Sequence, residues 1–120
     1  MSPSIILDKC VEFSLECIKL YKILQQNSEF IISKQMLRSA TSIWANVAEA
    51  TAAQSKKDFY AKICIAYKEA HETKYWLILL YRSDLASSSV LERQKDCDEI
   101  IKILAKIKLT TEQNISENIL

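Results

Sequence analysis

The amino-acid sequence predicts an all-α protein built as an antiparallel up-down-up-down four-helix bundle. The 120 residues contain no glycine and a single proline, Pro3, so no strong helix breaker follows the first turn. Apolar residues recur at alternating intervals of three and four, which is the spacing of a bundle core. The breaks between these segments are short, so consecutive helices are expected to be antiparallel neighbours. This length predicts one domain, residues 1–120.

The first helix is predicted at about residues 3–26. Proline is compatible with a first helical turn because its missing N–H has no intrahelical partner there. Asn27 and Ser28 provide a natural end. The residues of the core row of this helix follow one another at intervals of four and three positions. They are Ile6, Cys10, Phe13, Cys17, Leu20 and Leu24.

The second helix is predicted at about residues 31–53, with two different rows of side chains. The core row is Met36, Ala40, Ile43, Val47 and Ala50. Beside it lies what we call the polar row, Ser39, Ser42, Asn46 and Glu49. Burying such groups unpaired would cost about 1–3 kcal/mol per neutral group. We therefore expect the polar row to pair across helices, within the bundle or between subunits; a solvent-facing row is the alternative.

The third and fourth helices are predicted at about residues 55–84 and 89–108. Ser55 and Asp58 have the spacing of a capping box at the start of the third helix. A three-serine break precedes the fourth helix, and the tail at 109–120 either frays or continues it. The core row of the third helix is Phe59, Ile63, Ala66, Ala70, Thr73, Leu77 and Leu80. The core row of the fourth helix is Cys97, Ile100, Ile101, Leu104 and Ile107.

Composition excludes several classes of protein. Hydrophobic residues make up 49% and charged residues 26%, as in folded soluble domains. No apolar run approaches the roughly 18 residues of a membrane span. The first residues lack the basic region of a signal peptide, so the expected compartment is the cytoplasm, with no membrane partner. Without glycine, a Gly-rich phosphate loop or a nucleophile elbow cannot form in its usual way.

We predict no catalytic residue, no cofactor and no metal site, and hence a non-enzymatic protein. His71 follows Cys64 by seven residues; a nucleophilic pair is conceivable, but a histidine at the bundle margin is favoured. Glu69 and Glu72 lack the Glu-x-x-His partners of a di-iron bundle, so we expect them to contact cations or polar groups. The four cysteines, Cys10, Cys17, Cys64 and Cys97, are predicted to be reduced and buried.

Charge points weakly to nucleic acid. The net charge of +1 gives no overall attraction, but residues 51–83 hold six basic and three acidic side chains. A solvated basic face is the alternative for a monomer. The candidate nucleic-acid contacts are Lys34, Arg38, Lys56, Lys57 and Lys74.

Aromatic residues favour association with another protein surface. Those of the third helix fall on several sides of it, so one core row cannot hold them all. Aromatic side chains outside a core often mark protein–protein contacts. The residues concerned are Tyr60, Tyr67, Tyr75, Trp76 and Tyr81, together with Trp44 on the second helix.

Residues 33–80 resemble the small four-helix-bundle proteins encoded in intervening sequences of bacterial 23S ribosomal RNA genes. The segment begins "SKQMLRSATSIWANVAEATAAQSKKDFYAK". Trp44 departs from the pattern, since the family commonly has a small residue or proline there. The residues we assign to the family signature, to packing or to subunit contact are Arg38, Ser39, Ser42, Trp44, Asn46, Glu49, Asp58, Phe59, Lys68, Glu69, Glu72, Tyr75 and Trp76.

The resemblance implies a ring-shaped homo-oligomer, a homopentamer. It also extends to the accessory proteins of diversity-generating retroelements, which bind nucleic acid and partner a reverse transcriptase. Five subunits that aligned their third helices would carry about +15, enough to attract a polyanion. The expected function is therefore a non-enzymatic adaptor towards RNA, DNA or a reverse-transcriptase-like protein. The alternative is a purely protein-binding or structural oligomer without nucleic-acid affinity.

Overall fold

The computed structural model describes residues 3–119, which form four helices and no strand. They build a rod of 55 × 22 × 21 Å. None of the helices within this range combines the length and apolar character that crossing a membrane requires. The all-α prediction is confirmed, and the helices are α1 (Pro3–Gln26), α2 (Ile32–Thr51), α3 (Lys56–Arg82) and α4 (Ser89–Ile119).

Side-chain pairs show that neighbouring helices run in opposite directions. Ser39 of α2 contacts Thr73 of α3, and ten residues further along α2, Glu49 contacts Lys62, eleven residues earlier in α3. The same reversal relates α4 to its neighbours, as seen in the pairs Tyr60–Glu112, Lys74–Asp98, Lys9–Glu99 and Glu16–Arg93. Within residues 3–119 each helix packs on two others, α1 on α2 and α4, and α3 on α2 and α4. Thus α1 lies diagonally opposite α3.

The core follows the predicted rows closely. All six predicted positions of α1 and all five of α2 are buried, and so are six of the seven in α3. Phe59 is half-buried at the margin of this core, as are Ile101 and Ile107 in α4. Each fully buried Leu, Ile or Val side chain contributes about 1.5–3 kcal/mol, so these rows account for the association of the helices.

The cysteines are free, and three of them belong to the core. Cys10, Cys17 and Cys97 are buried. Desolvation raises the pKa of the Cys10 and Cys97 thiols to about 12, so they are protonated at neutral pH. Cys64 is only half-buried, which corrects the prediction for that residue. It projects from the side of α3 away from the core row.

Helix α4 is longer than predicted: it continues to Ile119 rather than ending near residue 108. Thr111 is buried, and its Oγ1 donates a 2.7 Å hydrogen bond to the carbonyl oxygen of Ile107. The Tyr60 hydroxyl of α3 donates to the Glu112 carboxylate. These contacts hold the tail against the beginning of α3, so it extends the helix. Helices α2 and α3 are one or two residues shorter at each end than predicted.

Helices α1 and α3 end in the same type of turn, although the chain has no glycine. Ser28 and Asp84 adopt φ values of 62° and 58°, in the left-handed region. The next N–H groups reach back five residues, from Glu29 to Leu24 and from Leu85 to Leu80, as in a Schellman motif. Two residues with side chains therefore adopt the left-handed backbone conformation that glycine normally provides at a helix end.

Helix α2 begins on a carboxylate that the sequence patterns did not reveal. Glu29 accepts hydrogen bonds from the backbone N–H groups of Ile31, Ile32 and Ser33, at 3.1, 2.8 and 2.6 Å. Partial burial raises the pKa of Glu29, but these N–H donors outweigh it, so the pKa lies below its usual value. Ionised Glu29 thus caps the positive end of the α2 dipole.

Ser28→Gly is expected to stabilise the protein by about 1 kcal/mol, because it removes the side-chain clash of the left-handed conformation. The free energy of unfolding in urea measures this. Asn27→Gly, immediately before the turn, is the matched control and is expected to lower stability. Equal effects of the two substitutions would contradict the turn described above.

Glu29→Gln is expected to cost about 1 kcal/mol at pH 7, in the range of a lost helix cap. Because the folded-state pKa is lowered, the carboxylate stabilises the fold above its unfolded pKa of about 4.3, and the contribution disappears as pH falls through the folded value. Urea unfolding at pH 7 and pH 3 should show the difference between wild type and variant shrinking. Glu12→Gln, an exposed substitution on α1, should change stability by less than about 0.5 kcal/mol at either pH. A pH-independent difference would refute this role for Glu29.

Candidate functional site

A buried pair of hydroxyl groups joins α2 to α3 at the centre of the polar row. Ser39 and Thr73 are completely buried. Thr73 Oγ1 lies 2.8 Å from Ser39 Oγ and also 2.8 Å from the carbonyl oxygen of Glu69, so its one proton has two acceptors. Ser39 Oγ donates to the carbonyl oxygen of Met36 at 3.1 Å. Both hydroxyls are therefore satisfied inside the core, and their small size lets the helices approach closely.

A charged cluster lies at the outer edge of the same contact. The Arg38 guanidinium of α2 contacts Glu69 at 3.4 Å and also Glu72, both on α3. The indole N–H of Trp76 donates to Glu72 at 3.2 Å. The prediction that the two glutamates contact cations or polar groups is confirmed. Because Arg38 and Glu72 are partly exposed, this cluster serves orientation more than stability.

The rest of the polar row divides between two roles. Glu49 reaches across to Lys62 of α3, with 3.9 Å between Oε1 and Nζ. Ser42 Oγ donates to the carbonyl oxygen of Arg38 at 2.8 Å, and Asn46 Nδ2 donates to that of Ser42 at 2.9 Å. Pairing across helices within the bundle thus holds for Ser39 and Glu49, whereas Ser42 and Asn46 bond their own helix. A contact of this row with another subunit stays a prediction.

The aromatic residues of α3 also separate into two groups. Tyr60 and Tyr67 have partners within the chain, and the partner of Tyr60 is Glu112. The Tyr67 ring packs edge-on against His71, with 4.6 Å between the ring centroids, and Lys108 Nζ lies 5.1 Å from the Tyr67 centroid. Tyr75 and Tyr81 of α3 remain exposed, by 53% and 41%, and so does Trp44 of α2, by 41%. Trp44 lies on the flank of α2 opposite the polar row, hence away from α3.

The signature residues at the start of α3 have structural roles. Ser55 Oγ accepts a 3.0 Å hydrogen bond from the backbone N–H of Asp58, which caps the helix as predicted. Phe59 packs at the margin of the core. Lys68 is exposed. Of the predicted signature residues, the structure brings Arg38, Ser39, Glu69, Glu72 and Trp76 together in one continuous cluster with Thr73.

The conceivable Cys64–His71 pair does not come together. Seven residues of helix separate the two positions by about 10.5 Å along the axis, beyond hydrogen-bonding reach. His71 instead contacts Tyr67. Across residues 3–119, no three His, Cys, Asp or Glu side chains converge in a way that could hold a metal ion.

The predicted nucleic-acid contacts do not form one patch. Arg38 is paired with glutamates, and Lys74 Nζ lies 2.7 Å from Asp98 Oδ1, a hydrogen bond that raises the pKa of Lys74. Lys34 is exposed near the beginning of α2, whereas Lys56 and Lys57 are exposed at the beginning of α3. Since these helices are antiparallel, about 30 Å of helix separates the two groups.

Comparison with known proteins connects this architecture to a family. The model of the family described as 23S rRNA-intervening sequence protein matches residues 3–106. The chain belongs to this family. The match to the intervening-sequence family thus covers all of α1 to α3 and α4 as far as Lys106, while residues 107–119 of α4 lie outside it.

A solved structure supports the same assignment for this intervening-sequence protein. It is the 1.70 Å crystal structure of a protein of unknown function from the S23 ribosomal protein family of Bacteroides thetaiotaomicron VPI-5482. The two sequences are 44% identical, and the match covers 90% of this chain and 98% of the other, with a TM-score of 0.86. No curated protein matches the sequence.

Ser39→Ala and Thr73→Val are each expected to lower the free energy of unfolding by about 1 kcal/mol, because each leaves a buried partner with fewer hydrogen bonds. The double variant should lower the free energy of unfolding by less than the sum of the two single effects, since neither hydroxyl then remains without its partner. Urea unfolding at one protein concentration measures all three. Thr41→Val, which removes an exposed hydroxyl bonded only within α2, is the control. Strict additivity would show that the two hydroxyls do not act as a pair.

Proposed function

We propose that this protein is a non-enzymatic, homo-oligomeric adaptor that binds RNA or DNA, or an enzyme acting on them. The observation that carries the proposal is the unneutralised charge of α3. Among residues 3–119, no carboxylate lies within ion-pairing distance of four of its cations, which are Lys56, Lys57, Lys68 and Arg82.

The neighbouring helices neutralise the other charges of α3 selectively. Lys62 and Lys74 are paired with Glu49 and Asp98. Arg38 of α2 pairs with both Glu69 and Glu72, so its single charge offsets one of these two negative charges. The excess of positive charge predicted for residues 51–83 therefore persists at the surface. A polyanion such as RNA or DNA is the ligand that such a surface attracts, and assembly multiplies the effect.

Exposed apolar side chains support assembly. Phe30 and Ile31, in the connection between α1 and α2, are exposed by 58% and 78%, and Trp44 by 41%. Large apolar groups left in water favour a contact with another protein surface. The resemblance to ring-forming proteins makes a homopentamer the assembly we favour. We place the protein in the bacterial cytoplasm, with a reverse-transcriptase-like enzyme as its candidate protein partner.

Trp44 favours a second candidate function, a purely protein-binding or structural oligomer. The resemblance to the intervening-sequence family implies a small residue or proline at this position, where this chain has an indole. It is also the largest exposed side chain on the face of α2 turned away from α3. A module whose apolar surface is used only for protein contacts would need no affinity for nucleic acid.

Solution mass and binding across salt concentrations test the proposal. We expect a mass five times that of one chain at micromolar concentration, and binding of a fluorescent 20-nucleotide RNA or DNA that weakens as salt rises. A neutral protein of about the same mass and without a basic face serves as the binding control. A strict monomer would exclude the ring, and absence of binding at low salt would exclude the nucleic-acid role. An oligomer without such binding would favour the structural alternative.

A further inference from the structure

One face of α3 carries a continuous row of exposed side chains that we call the outer strip. Its members are spaced by three, four or seven residues, so they share one side of the helix, opposite the core row. The strip extends about 38 Å from its first to its last residue. It consists of Lys57, Cys64, Lys68, His71, Tyr75 and Arg82, of which all but the half-buried Cys64 are exposed.

Charges on α3 are sorted between this strip and the flanks. Glu69 and Glu72 lie towards α2, where Arg38 binds them. The three cations of the strip, Lys57, Lys68 and Arg82, have no carboxylate partner among residues 3–119. No member of the strip is acidic. A bound anion would therefore meet several positive groups without displacing an internal ion pair.

The opposite side of the bundle has the reverse character. The groove between α1 and α4 is lined by five carboxylates, Asp8, Glu12, Glu16, Asp96 and Glu99. Lys9 pairs with Glu99, and Arg93 pairs with Glu16 and Asp96, so these two cations leave the five carboxylates in excess. Because α1 lies diagonally across from α3, the field of the protein repels a polyanion from one side and directs it to the other.

A planar ring lies between the cations of the strip. Tyr75 is 53% exposed, and its ring centroid is 5.0 Å from that of Trp76, which supports it from the α2 side. An exposed tyrosine next to unpaired cations is the arrangement that stacks a nucleic-acid base while the cations hold phosphates. Bases in a duplex are already stacked on each other, so only an unpaired strand can use such a ring.

We infer that single-stranded nucleic acid binds along the outer strip, with phosphates at Lys57, Lys68 and Arg82 and a base stacked on Tyr75. This inference rests on the proposed nucleic-acid role and assigns it a strand type and a surface. Lysine is depleted from protein–protein interfaces, which makes a protein the less suitable occupant of this strip. Because RNA and DNA both offer phosphates and base faces, the outer strip is expected to bind single strands of either.

Fluorescence anisotropy with labelled 20-nucleotide single strands of RNA and DNA, and with the corresponding duplexes, tests the inference on the full chain. Replacing Lys57, Lys68 and Arg82 by alanine should reduce the slope of log K against log salt by about 2 for single strands. Replacing Lys22, Lys95 and Lys102, which are exposed lysines on α1 and α4, removes the same charge and should leave the slope nearly unchanged. Tyr75→Ala should weaken binding about tenfold, and Tyr75→Phe should retain it.

The outcomes separate the strip from the broader role. If both triple variants lose binding equally, or if Tyr75→Ala binds like wild type, the outer strip is not the site although the protein binds nucleic acid. Duplex binding as tight as single-strand binding also overturns the inference. A fall in solution mass for the strip variants, but not for the control, would make the strip a subunit interface instead. Absence of binding by the wild-type protein would overturn the nucleic-acid role itself.

Discussion

Close packing of α2 on α3 around the Ser39–Thr73 hydrogen bond limits how far one helix can slide along the other. A shift by one helical turn, about 5.4 Å, would leave both buried hydroxyls without their present partner. Ala40, Ala66 and Ala70 are also completely buried, so little side-chain bulk stands between the helices. With this register fixed, Arg38 reaches both glutamates and Glu49 reaches Lys62. The position of each charge on α3 therefore follows from an uncharged contact in the core.

The division of α3 into a flank whose carboxylates pair with Arg38 and a positive outer strip is one result of that register. Paired charges at the edges of a bundle contribute little stability when they are partly exposed. Their effect here is on the electrostatic surface, because Arg38 offsets one of the two negative charges next to the strip. A protein with a net charge of +1 can in this way have one face suited to a polyanion and another that repels it.

Periodicity predicted the helices and nearly all core positions, because a buried face imposes its spacing on the chain directly. It did not predict features that depend on distant partners. In the α4 tail, Glu112 binds Tyr60, which lies 52 residues away in the sequence. The polar row was visible in the sequence, but which members cross to α3 depends on helix rotation. Charge alone indicates the five nucleic-acid candidates, and ion pairing removes Arg38 and Lys74 from the free cations. Lack of glycine also concealed the left-handed turns at Ser28 and Asp84.

The length of α4 has a consequence for the order in which the molecule opens. Lys9 of α1 lies beside Glu99, so by antiparallel register α1 begins level with about residue 105 of α4. Beyond that level, α4 has α3 as its principal support. Amide hydrogens in these last turns should exchange with solvent through a local fraying that leaves the other helices folded. We therefore expect a terminal unit of lower protection that continuous helix, rather than a hinge or a loop, joins to the rest of the bundle.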